Sequence, residues 1–306
     1  MNNYNCIVVL GPTACGKTKL ACNIAFALNG EIISADSRQV YRLLNIGTGK
    51  DLQEYNVNGQ KINYHLIDVC EPMEQFYLHQ FIELSEKAFH EINFKNKLPV
   101  ICGGTGLYLD SLRKDFSYTQ IKENPASRKE LEAFSREELE MKLKKFPGQF
   151  TRHTDIHSKK RIIRAIEVAK YLMKNPAEIV MKKKPFRPFY IGINVDVEER
   201  KKLISDRLAD RMNTGLIEEV ETLLRNGITH WRLENLGLEY KYVSLFLRNN
   251  ITKDELILLL RTAIFQFAKR QMTWFRKLEK EGVEIKWIKK EENEILISNL
   301  KSIFSS

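Results

Sequence analysis

Residues 11–18 read GPTACGKT and follow directly on the apolar run CIVVL (6–10). No other feature of the chain restricts its fold as tightly. The pattern G-x-x-x-x-G-K-[ST] needs a buried strand before it to hold the loop. It also needs a helix after it, whose N-terminal amides converge on phosphate oxygens. A strand–loop–helix start of this kind belongs to an α/β fold, a parallel sheet with helices on its faces. Gly11, Pro12, Thr13, Ala14, Cys15, Gly16, Lys17 and Thr18 are therefore the expected diphosphate- or nucleotide-binding set. Lys17 is placed to neutralise the distal phosphate, and the Thr18 hydroxyl to ligate Mg²⁺. The loop specifies a diphosphate without specifying what carries it.

The next hundred residues keep the same pattern. EIISADS (31–37), YHLIDV (64–69) and LPVICGGTG (98–106) read as further strands. Helices are expected from Lys17 to about Leu28 and, from the spacing of Phe81, Leu84, Ser85, Ala88 and Ile92, over 78–94. Ligands of such sheets bind at the carboxyl ends of the strands, and GPTACGKT, SADS and GGTG all fall there. Asp36 reads either as a carboxylate facing the loop or as the cap of the turn over 37–42. In GGTG, Gly103 and Gly104 admit close backbone approach and Thr105 offers a hydroxyl over the site; equally, the segment reads as a turn capping the next helix. Asp68 reads as an outer Mg²⁺ ligand or as a plain strand-end acid.

From Ser111 the pattern changes. Charged helices are expected over 127–145 and 159–173, closed by KNPAEIVMKKKPFRP, before the core strand FYIGINVD (189–196) returns the chain to the sheet. The expected division is a phosphate-loop core of 1–112 with 188–306 and a basic helical insertion of 113–187. The net charge of +10 is concentrated there: residues 111–190 hold 20 Lys and Arg against 10 Asp and Glu, residues 1–110 hold 9 against 11. Such a block is the footprint of a polyanion partner, or a solvated lysine-rich surface. In HSKKRIIRAIEVAK, Lys160, Arg161 and Arg164 share one helical face, suited to phosphate-backbone contact, with Ile162, Ile166 and Ala169 opposite. The C-terminal third reads as helices at about 198–212, 216–226, 236–248 and 253–280 and a short strand, VEIKWI. Within QFAKRQMTWFRK, the aromatics Phe267, Trp274 and Phe275 read as core.

Several classes are excluded. No window approaches 18 apolar residues and the N-terminus lacks a basic signal-peptide region, so a cytoplasmic protein without a membrane partner is expected. Cys6, Cys15, Cys22, Cys70 and Cys102 show neither zinc nor disulfide spacing. Cys15 lies in the phosphate loop, where a helix N-terminus lowers a thiol's pKa, so it is expected to be sensitive to alkylation. His65, His79, His90, His153, His157 and His230 have no metal-ligand spacing. The remaining readings are a phosphate-loop small-molecule kinase and an RNA-binding nucleotide switch.

Taken in order, GPTACGKT, SADSRQVYRLLNIGTGK, YHLIDVCEP, GGTGLYLDSL, KKRIIRAIEV, GLIEEV and AKRQMTWFRK span nearly the whole chain and resemble the tRNA dimethylallyltransferase family. The resemblance implies a P-loop NTPase-like core with a helical insertion. It implies transfer of a dimethylallyl group from its diphosphate to N6 of adenosine 37, beside the anticodon. Mg²⁺ would be the cofactor, dimethylallyl diphosphate and the tRNA anticodon stem-loop the partners, and no obligate protein partner is indicated. Asp36 and Thr105 match the family's catalytic residues. Asp36, Ser37, Arg38 and Gln39, with Thr105, match the segment around the target adenosine. Arg128 and Lys160, Arg161, Ile162, Ile163 and Arg164 match tRNA-contacting positions, and Arg207 a diphosphate contact. The chain departs from the family where Gly237-Leu238-Glu239 replaces G-Y-R and where Phe265 replaces an arginine. An adenylate prenyltransferase acting on free AMP shares the core motifs and remains the alternative.

Overall fold

The computed structural model describes residues 3–151, 154–175 and 184–304. His153 and most of the stretch KNPAEIVMKKK lie outside the described residues. The chain divides into two compact units, Met1–Arg113 with Pro185–Ser306, and Lys114–Lys184.

The strands, in chain order, are β1 (Cys6–Leu10), β2 (Gly30–Ser34), β3 (Asn56–Val57), β4 (Gln60–Lys61), β5 (Tyr64–His65), β6 (Leu98–Gly103), β7 (Pro188–Ile193) and β8 (Ile285–Ile288). The helices are α1 (Lys17–Ala27), α2 (Leu78–Phe94), α3 (Gly106–Ser111), α4 (Pro125–Glu132), α5 (Arg136–Leu143), α6 (Gly148–Thr151), α7 (Lys159–Lys174), α8 (Val197–Asn213), α9 (Leu216–Arg225), α10 (His230–Leu236), α11 (Leu238–Leu247), α12 (Lys253–Lys280) and α13 (Asn293–Phe304). None of the helices among the described residues is long and apolar enough to cross a membrane.

In the larger unit six strands form one parallel sheet in the order β5-β2-β6-β1-β7-β8. β1 is central, with Val8 opposite Ile101 on one side and Tyr190 on the other. Its side chains alternate between two cores, the period-2 consequence of a pleated strand. Cys6, Val8 and Leu10 join residues of α2, α3 and α8 to α12. Ile7 and Val9 join Leu20 and Ile24 of α1 and Leu296 and Leu300 of α13. Helices on both faces account for a strand with no polar residue. The three polar motifs leave β1, β2 and β6, which are adjacent in the order β2-β6-β1, at the same edge.

Several elements differ from the sequence reading. YHLIDV pairs only at Tyr64 and His65, because Leu66 and Asp68 take left-handed φ values of 65° and 56°. The turn is held by Asp68, whose carboxylate meets the buried Lys50 ammonium at 2.5 Å. Asp68 is thus committed to Lys50, not to a metal. The helix expected over 127–145 breaks at Ser135, where Ser135 and Glu138 cap each other's backbone amides. The helix expected over 236–248 is α11, whereas α10 before it and α13 at the C-terminal end were not anticipated.

The smaller unit has its own core, in which Leu131, Leu139 and Leu143 pack on Ile162, Ile163 and Ile166 of α7.

Candidate active site

The phosphate loop leaves β1 at Gly11 and ends at Gly16, which takes φ 83° directly before α1. Only glycine adopts that conformation without strain. No side chain caps α1, so its first amides are available to an anion, the arrangement by which helix N-termini bind phosphate. The Lys17 ammonium folds over the loop and donates to the Pro12 carbonyl at 2.7 Å. The Thr18 hydroxyl has no hydrogen-bond partner among the described residues. Cys15 corrects the sequence reading: burial, only partly offset by Lys17, raises its thiol pKa. At 5% exposure its thiol is buried, against the expected sensitivity to alkylation.

Asp36 and Thr105 come together as the strand ends dictate. Asp36 Oδ1 accepts the Arg38 amide at 2.9 Å. The other carboxylate oxygen has no partner among the described residues, and Asp36 lines a cavity with Thr13, Ser37, Arg38, Thr48 and Thr105. The turn reading of Asp36 thus holds, and the residue also borders the cavity. The Thr105 hydroxyl does not cap α3. It accepts the Ser37 amide at 3.1 Å and donates to Ser37 Oγ at 3.3 Å. The GGTG segment is thus bound sideways to SADS.

Gln271 of α12 was not singled out from the sequence. Its Oε1 accepts the Thr13 amide at 2.8 Å and its Nε2 donates to Gly104 O at 3.0 Å. One buried amide therefore ties the phosphate loop to GGTG. A side chain at Gly104 would collide with it, a Cβ there lying 2.2 Å from Gln271 Nε2. Glu219 does comparable work across the cavity. Its carboxylate accepts the amides of Asn45, Ile46 and Gly47 at 2.7 to 3.1 Å and the Tyr240 hydroxyl at 2.8 Å. It shapes the Gly47–Thr48 wall of the cavity.

The cations are distributed around this cavity. Arg207 pairs with Asp51 and reaches Gly49 O at 3.5 Å. Its charge acts on Cys15 and Glu54, which Lys17 also influences. Arg38 stacks over the Phe267 ring at 5.0 Å from its centroid, so Phe267 faces the cavity instead of serving as core; Phe275 is fully buried, as expected. Gln39 turns inward, bonded to Ser34 Oγ and to Gly49 O at 3.0 Å each.

In the smaller unit the basic set splits. Lys160 is exposed, as is Arg161, which pairs with Asp155 at 2.6 Å. Arg128 is held between Glu123 and the buried Glu167, at 2.5 and 2.7 Å. Arg164 donates to the Ile121 carbonyl at 2.5 Å. Both brace their own unit. Ile162 and Ile163 have buried side chains, so their expected place among surface contacts is corrected to a core role.

Residues 39–278 match the family described as IPP transferase. The chain is 43% identical to tRNA dimethylallyltransferase 1 of Parabacteroides distasonis, over 94% of this chain and 93% of that protein. It is 44% identical to tRNA dimethylallyltransferase 2 of Bacteroides fragilis, over 94% of each. Among solved structures it resembles the tRNA isopentenylpyrophosphate transferase of Bacillus halodurans, with TM-score 0.71 and 29% identity over 99% of this chain and 97% of that one. The matches cover most of this chain. The chain belongs to the IPP transferase family.

Proposed function

We propose that the chain transfers the dimethylallyl group of dimethylallyl diphosphate to N6 of adenosine 37 in tRNA. The observation that carries this reading is the shared cavity: Asp36 and Thr105 face the same space as Thr13 of the phosphate loop. A small-molecule kinase would account for the loop, Thr18 and Asp36, but not for the charge of +10 concentrated in residues 111–190.

The chemistry follows from the reactants. The adenine amine is a weak nucleophile, because its lone pair is delocalised into the ring. The allylic carbon is a good electrophile once its leaving group is stabilised. Catalysis is therefore positioning and stabilisation of the departing diphosphate. The loop amides, Lys17 and Arg207 bind that diphosphate. Thr105, held by the Ser37 amide, is the hydroxyl assigned to the bridging oxygen, to which it would turn its one proton from Ser37 Oγ. Asp36 accepts a hydrogen bond from N6 through its free oxygen and takes the proton as the carbon–nitrogen bond forms and the carbon–oxygen bond breaks. The target base must leave its stack to reach this position. Mg²⁺ fits the residues present. No cluster of three acidic, histidine or cysteine side chains suits a metal among the described residues, so the ion would be held by Thr18, diphosphate oxygens and water, the oxygen-rich set it prefers. Its contribution is to offset charge on the leaving group.

The test is incubation of the protein with Mg²⁺, labelled dimethylallyl diphosphate and either unmodified tRNA or AMP. Label in N6-prenyladenosine from digested tRNA is expected. Label on AMP alone would replace this reading with an adenylate prenyltransferase, and no transfer to either would refute prenyl transfer.

A further inference from the structure

Glu31, the second residue of β2, lies at the end of the sheet away from the phosphate loop, and it is 1% exposed. Five contacts cover its two oxygens. Oε1 accepts Asn63 Nδ2 at 3.1 Å and the Lys97 and Lys95 ammoniums at 2.9 and 3.5 Å. Oε2 meets His65 Nε2 at 2.9 Å and Lys95 again at 3.2 Å. A carboxylate offers about four lone-pair sites, so Glu31 has no acceptor capacity left. It presents its cations to the outside, not its own oxygens.

One side of this cluster opens on a recess. Glu31, Lys61, Asn63, Tyr64, His65 and Lys95 line a cavity of about 220 Å³, where roughly 10–15 Å³ admits a water. Lys61 comes from β4, Tyr64 and His65 from the edge strand β5, and Lys95 from the C-terminal end of α2. The Lys61 ammonium and the Tyr64 hydroxyl have no hydrogen-bond partner among the described residues. Lys95 is half-exposed and keeps a donor after serving Glu31, because an ammonium carries three.

The charges here do not balance. Lys61, Lys95 and Lys97 bring three ammoniums to one carboxylate, before any protonation of His65, and Glu31 is the one acid in the lining. A single ammonium would neutralise Glu31. Cations gathered in a recess raise the local potential and concentrate anions there.

We propose that this recess is a phosphate-binding site, separate from the reaction cavity, in which the Lys61 and Lys95 ammoniums and the Tyr64 hydroxyl donate to phosphate oxygens while Glu31 fixes Lys95 in place. The two cavities share no lining residue, so an occupant of one leaves the other open. An excess of two positive charges suits a phosphate monoester, which carries close to two negative charges at neutral pH. A backbone diester of RNA presents similar oxygens with one charge. The lining holds lysines and no arginine, and lysine binds phosphate as a point charge without needing a fixed fork.

The test uses the full chain labelled with ¹⁵N and follows residues 61–65 and 95–97 by NMR as inorganic phosphate is added at constant ionic strength. Saturable shifts are expected there, with an affinity of their own, different from that read at residues 11–18 of the phosphate loop. Lys61→Gln and Lys95→Gln should each weaken that affinity about tenfold, with residues 11–18 responding as in wild type. Both side chains reach solvent, so both variants should melt at the wild-type temperature. Parallel titrations identify the source of the phosphate. Shifts with ribose 5-phosphate as well as inorganic phosphate support a free monoester. Shifts only with an anticodon stem-loop lacking a 5′-phosphate support a backbone diester at the same donors. No saturable shift with any of the three, shifts that chloride reproduces, or wild-type affinity in both lysine variants would overturn the proposal.

Discussion

Asp36 uses its two oxygens differently, one closing a turn onto Arg38 and the other without a partner among the described residues, in a residue that lines the cavity. Asparagine keeps the turn acceptor and loses the base. Asp36→Asn is therefore expected to melt at the wild-type temperature while transfer falls about a hundredfold to ten-thousandfold. Undiminished transfer would assign Asp36 to the turn alone. At this scale the sequence located Asp36 and Thr105 and left each with two readings, because spacing along a chain does not say which oxygen is free. Gln271 carried no recognisable signal, since its partners Thr13 and Gly104 are 258 and 167 positions away. Cys15 shows the converse: its position beside a helix N-terminus was legible, whereas the burial that outweighs it was not.

Among the elements, α12 acts as a brace because one of its turns presents Gln271 to two loops. Removing that amide in Gln271→Ala leaves the buried Gly104 carbonyl unsatisfied, a cost of about 1–3 kcal/mol, and frees the part-buried Thr13 amide. A lower melting temperature and weaker binding of inorganic diphosphate are the expected readouts. The entry to β2 offers a test by pH. Burial raises the Glu31 pKa, but hydrogen bonds from His65, Lys97, Asn63 and Lys95 outweigh it and bring the carboxyl down to about 2. A lowered pKa stabilises the fold above the ordinary carboxylate range, and that contribution is lost as pH falls toward 2. The stability difference between wild type and Glu31→Gln should therefore be full near pH 6 and shrink between pH 4.5 and 2; a difference that persists at pH 2 would contradict this balance. Most elements were readable from apolar periodicity. The β3–β4 hairpin had a signal too: Asn58 and Gly59, both with positive φ, are the residues a two-residue turn of this hand requires. The break before α5 was likewise written in Ser135 and Glu138 as a capping box.

For the molecule as a whole, the charge asymmetry is the property with a measurable consequence. If the basic block grips RNA phosphates, only its outward cations should contribute to the salt dependence of binding. Lys160→Ala with Arg161→Ala is expected to reduce the slope of log affinity against log salt by about 1 to 2, one phosphate contact for each cation. Arg128→Ala should instead lower the melting temperature, because it leaves Glu167 buried without its closest cation, and should change the slope little. Filter binding across a salt series distinguishes them; an unchanged slope in the double variant would remove the phosphate grip. The sequence by itself determined the sheet, the phosphate loop and the order of the motifs, because these depend on local periodicity and on backbone conformations that few residues adopt. Only the tertiary structure decided which arginines brace a unit and which line the cavity, that Gln271 and Glu219 shape it, and that Glu239 sits between Arg38 and Arg211. Those assignments depend on where distant elements place a side chain and on what burial does to its charge, and neither is a property of neighbouring residues.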